Sequence, residues 1–105
     1  MNDSEFIDLT DQVLDRIESA VEASGANIDS SLVGGGVLEL ECEDGGKVVV
    51  NRHAVSQELW VAARAGGFHF RWDGKIWRDT RSSRELMAVL SELLSAQAGE
   101  SVVLR

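Results

Sequence analysis

The sequence predicts an α+β fold: a two-layer α-β sandwich with two terminal helices packed on one face of an antiparallel sheet of five to six strands. Three observations carry this reading. Apolar residues recur every three or four positions at both ends of the 105-residue chain. Between those ends, short segments alternate apolar and polar residues and are separated by Asp44-Gly45-Gly46, Gly66-Gly67 and Asp73-Gly74, which are hairpin signals. The alternating segments carry one apolar face, which needs a cover that only the end helices can supply.

The first helix starts among Asn2, Asp3 and Ser4, all competent N-caps, and Asn2 with Glu5 has capping-box spacing. Phe6, Leu9, Val13, Ile17, Ala20 and Val21 make its apolar stripe. Asp8, Asp11, Asp15, Glu18 and Glu22 repeat at the same spacing and fall on the opposite side, within about one-quarter of the circumference. Gly25 suits a left-handed C-terminal cap. Strands follow over residues 28–33, 37–43 and 47–51, with Gly34-Gly35-Gly36 as the first turn and residues 53–57 as a bridge.

Alternation points Leu38, Leu40, Cys42, Val48 and Val50 inward, and Glu39, Glu41 and Glu43 outward. In the next strand Leu59, Val61 and Ala63 face in, whereas Glu58, Trp60, Ala62 and Arg64 face water. Phe68, Phe70 and Trp72 face in, opposite to His69, Arg71 and Asp73. After Asp79 the period returns to about 3.6. Ser82 and Glu85 form a capping-box pair, and Leu86, Val89, Leu90, Leu93 and Leu94 make the second helix, to about Gln97. Residues 101–105 form an apolar tail able to pack between elements.

The whole chain, 1–105, reads as one domain, large enough to bury a single core. One cysteine permits no internal disulfide, and no apolar run reaches membrane-spanning length, so a cytoplasmic protein is expected. The net charge is −8. Residues 1–29 hold eight acids against the single base Arg16, while the rest of the chain holds ten acids and nine bases. That asymmetry argues against nucleic acid and anionic membranes, and toward cations or a basic protein surface.

The acidic line on the first helix is the leading candidate site. Like charges three or four residues apart cost roughly 0.2–0.5 kcal/mol per pair, so four consecutive pairs cost about 1–2 kcal/mol with no lysine on that face to relieve them. Oxygen ligands of this kind suit iron and, less selectively, other divalent cations. Trp60 among charges is the second candidate, a contact anchor with Asn51, Arg64 and Arg71 as polar neighbours and Arg52 near by. Cys42 belongs to the core. His53 and His69 lack ligand spacing, the triple glycine opens no phosphate-binding helix, and no nucleophile, base and orienter assemble into a catalytic group.

Five stretches carry a resemblance: MNDSEF at the start, GGVL at residues 35–38, VNR at 50–52, LWVAARAGGFHF at 59–70 and QAGE at 97–100. They resemble the bacterial members of the frataxin family over essentially the whole chain. The resemblance implies an α-β sandwich serving iron–sulfur cluster assembly as a binding protein and not an enzyme. Iron would bind weakly among Asp8, Asp11, Asp15, Glu18, Glu22 and Asp29. A cysteine desulfurase would meet Glu18 and Glu22, and the desulfurase with its scaffold protein would meet Asn51, Arg52 and Trp60, with Arg64 beside them. The expected state is a monomer, with oligomers forming in iron. The sequence departs from the family where Ser19, Ala23, Asn27, Ser30 and Ser31 interrupt the acids, and where Ala54-Val55 lacks a proline. Two rival functions are iron oxidation with storage, and metal-independent binding of a basic protein.

Overall fold

In a computed structural model that describes all residues 1–105, the elements run α1 (Asp3–Ser24), β1 (Ile28–Val33), β2 (Val37–Cys42), β3 (Lys47–His53), β4 (Glu58–Ala63), β5 (Gly66–Trp72), β6 (Trp77–Asp79) and α2 (Leu86–Ala98). The six strands form one antiparallel sheet in the order β1-β2-β3-β4-β5-β6, a simple meander. Both helices cover the same face, and 23 buried apolar residues make one cluster between the layers. The two-layer α-β sandwich is thus the fold of this chain.

Local chemistry sets the ends of α1. The Asn2 side chain accepts from the Glu5 amide at 2.8 Å and Glu5 returns the contact to the Asn2 amide, closing the capping box. Gly25 ends the helix at φ 73°, in the left-handed region that glycine tolerates best. The buried face of α1 is wider than the apolar stripe predicts, because Thr10 and Leu14 are buried as well. Thr10 is accommodated by donating its hydroxyl to the Phe6 carbonyl at 2.8 Å. Glu18, at the edge of this wider buried face, is half-buried.

The start of α2 differs from expectation. Glu85 is itself the N-cap, its carboxylate accepting from the Met87 and Ala88 amides, whereas Ser82 accepts from the Arg84 amide in the preceding turn. Buried Asp79 organises that turn by accepting from the amides of Arg81 and Ser82 at 2.7 and 3.0 Å. The tail packs as predicted. Val102 and Leu104 are buried, and the hydroxyls of Ser95 and Ser91 accept from their amides.

Candidate functional site

Strand alternation and register create two distinct surfaces. On the exposed flank of α1, Asp8, Asp11, Asp15 and Glu22 face water with Glu18 half-buried beside them. Asp11 alone is paired: the Arg52 guanidinium donates to its carboxylate at 2.6 Å and to the Thr10 hydroxyl at 3.3 Å. Asp8, Asp15, Glu18 and Glu22 have no cationic group within 4 Å. No lysine lies on that face, yet the repulsion is relieved at one position from elsewhere in the fold. Relief comes from β3, because that strand runs two residues further than predicted and carries Arg52 inward, in phase with Val48 and Val50.

Arg52 is consequently not a neighbour of Trp60; it lies on the opposite face of the sheet and folds over Gly36. That glycine is buried at φ 79°, where other residues are strained, and a Cβ there would run into the Arg52 side chain and displace it. Arg64 is also displaced from its expected place. β4 ends at Ala63, and the Arg64 guanidinium pairs with Asp44 at 3.3 Å while its amide donates to Gln97, at the end of the sheet away from Trp60. Asp29 lies apart from the helical line, in the first strand as expected. It sits on β1 directly opposite Glu41 of β2, on the water-facing side, and a cavity of about 310 Å³ joins Asp29 to Glu41 and Glu43. Nowhere do three His, Cys, Asp or Glu side chains converge closely enough to hold a metal ion.

The second surface is the outer face of the sheet. Register sets Asn51, Trp60 and His69 level with one another on β3, β4 and β5. Trp60 is not bare. Its indole is stacked between the imidazoles of His53, at 3.7 Å and 10°, and His69, at 4.5 Å and 7°. Its Nε1–H donates to Glu58 at 2.8 Å. Glu58 lies on the water-facing side of β4, yet it is only 7% exposed. It accepts further from Arg71 Nε at 2.9 Å and the Ser56 hydroxyl at 3.1 Å, and His69 Nδ1 stands 3.6 Å away. Burial pushes the Glu58 pKa up, but the hydrogen bonds from Trp60, Arg71 and Ser56 and the charge of Arg71 outweigh it. The carboxyl is held below its ordinary value of 4.5.

Sequence reasoning placed Trp60 on the correct face but missed Glu58, His53 and His69 as its supports. Alternation assigned Glu58 to water without showing that four neighbours would close over it. Counting ladder pairs outward from the two hairpins would have brought both imidazoles alongside the indole. Cys42 is a core thiol whose pKa is raised, chiefly by burial, with Asp44 adding to the effect.

Known proteins share this architecture and much of the sequence. The family described as frataxin-like domain matches residues 1–100. The iron-sulfur cluster assembly protein CyaY of Dechloromonas aromatica (strain RCB) is 60% identical over 105 residues, covering 100% of both chains. A frataxin from Psychromonas ingrahamii superimposes with a TM-score of 0.91 at 38% identity, covering 98% of this chain and 97% of that one. A trimeric frataxin of the yeast Saccharomyces cerevisiae, complexed with ferrous iron, gives a TM-score of 0.68 at 28% identity over 91% of this chain and 87% of its own.

Proposed function

The chain belongs to the frataxin-like family, and on that footing we propose that it is a non-enzymatic accessory and regulatory protein of iron–sulfur cluster assembly in the cytoplasm. It takes up iron weakly as cargo on the α1 flank and docks as a monomer on a cysteine desulfurase and its scaffold protein. One observation carries the iron reading: Asp8, Asp15, Glu18 and Glu22 occupy a single flank of α1 without cationic partners.

Hard oxygen ligands on an exposed helix recruit ferrous or ferric ions electrostatically, with other divalent cations competing. Since no three ligating groups converge, each ion is held by one or two carboxylates and otherwise by water. Affinity is low and exchange fast, which suits a carrier. Asp11 takes a lesser part because Arg52 already neutralises it. Asp29 with Glu41 offers a separate, weaker locus on the outer face.

The same flank presents Glu18 and Glu22 to a basic surface of the desulfurase, an attraction that salt weakens. Asn51 and Trp60, level on the outer face, address the desulfurase–scaffold pair. Titration of ferrous iron under anaerobic conditions, followed by backbone NMR, tests the iron reading. Broadening is expected first at Asp8, Asp15, Glu18 and Glu22, later at Asp11, and last at Asp29. Broadening centred on the histidines of the sheet, or none with millimolar iron, would overturn it.

A further inference from the structure

Two acids are buried in this protein, Glu58 and Asp79. Asp79 has a local task, since its carboxylate holds the amides of the turn before α2. Glu58 caps no helix and accepts from no backbone amide. Burying a carboxylate is costly unless it is fully hydrogen-bonded, and the side chains that satisfy this one all belong to the surroundings of Trp60. They are the indole N–H itself, Arg71, and the Ser56 hydroxyl, which also bonds His53 Nδ1 at 2.8 Å. One buried charge thus ties together the indole, the imidazole on one side of it and the guanidinium beyond the other.

We propose that Glu58 is a positioning residue for the docking surface around Trp60, fixing the indole between His53 and His69 before any partner arrives. This rests on the reading of that surface as a docking site, and it specifies what the site accepts. The indole N–H is already used by Glu58, and both ring faces are covered by imidazoles. A partner can therefore neither accept a hydrogen bond from Trp60 nor lay a guanidinium flat on it. What remains is the outward rim of a preassembled three-ring stack, which fits an apolar side chain on the partner, with the Asn51 amide alongside for a carbonyl. Fixing the ring in advance spares the ordering cost that a free tryptophan would incur on binding.

The test compares the wild type with E58A, E58V, E58Q, W60A and E58A/W60A as full-length proteins. Three quantities are read: the Trp60 indole N–H resonance of the free protein, affinity for the desulfurase–scaffold complex, and the thermal midpoint. W60A is expected to weaken binding about tenfold or more, and E58A about three- to tenfold with the indole resonance shifted and broadened. E58Q keeps an acceptor and should stay within about twofold of the wild type. In the W60A background, E58A should cost nothing further, because it acts through the indole. E58V, β-branched and suited to a strand, carries the same expectation if E58A does not fold. An unchanged indole resonance in E58A or E58V, or an equal loss of affinity with and without Trp60, would overturn the inference. If W60A bound like the wild type, the docking reading itself would fall, while the indole resonance would still decide the positioning role.

Discussion

On the exposed flank of α1, Asp8, Asp15 and Glu22 face water with Glu18 half-buried beside them, and none has a cationic group within 4 Å. On the outer face of the sheet, one carboxylate is 7% exposed and is surrounded by donors. The first surface keeps its electrostatic energy unspent, because repulsion between like charges persists in the free protein. The second has settled its polar groups internally and offers shape and apolar contact. On the reading proposed above, the difference teaches how one small domain serves two partners of unlike chemistry, one on a helix and one on a sheet. The charged surface attracts over distance with little geometric demand, and the aromatic one adds fit at contact.

The largest effect that sharpens this contrast is a gain in stability. Changing Asp15→Asn, Glu18→Gln and Glu22→Gln together removes the repulsion of Asp15 with Glu18 and of Glu18 with Glu22, Asp11 being already paired with Arg52. At roughly 0.2–0.5 kcal/mol per pair, denaturant unfolding should show the triple variant more stable by about 0.4–1.0 kcal/mol at low salt. A destabilised variant would mean that these side chains make favourable contacts and are not held in reserve.

A smaller effect separates the surfaces by acid. Glu58 is depressed below 4.5 and Asp73 is lowered to about 2 by hydrogen bonds from the Ile76 and Lys75 amides and from Arg78. Depressed carboxylates stabilise the fold above their unfolded values and lose that contribution as pH falls through the folded ones. Stability should therefore hold down to about pH 4.5 and decline from there toward pH 2. The indole N–H resonance of Trp60 should move with Glu58 protonation within that window. An indole signal indifferent to pH down to global unfolding would sever Trp60 from Glu58.

These contrasts also explain what could be read in advance. Period-two alternation settled which strand residues enter the core, since Leu38, Leu40, Val48, Val50, Leu59, Val61 and Phe70 are all buried. The acidic line of α1 was legible because helical spacing alone fixes it. What escaped depended on where an element ends. Two extra residues in β3 turned Arg52 toward α1, and the end of β4 at Ala63 released Arg64 to Asp44. The start of α2 at Leu86 made Glu85 a cap. Thr10 and Leu14 were missed because a threonine does not register as apolar and a rim leucine lies outside the strongest stripe. Glu58 was missed because the burial of a polar side chain on the outer face is decided by neighbours from other strands. No local pattern encodes that.

Ionic-strength dependence of binding to the desulfurase–scaffold complex probes the division of labour most directly, measured for the wild type, the triple α1 variant and W60A. The account predicts that neutralising Asp15, Glu18 and Glu22 flattens the fall of affinity with salt, whereas W60A lowers affinity at every salt concentration and leaves the slope unchanged. Equal slopes for the wild type and the triple variant, or a slope flattened by W60A, would contradict it.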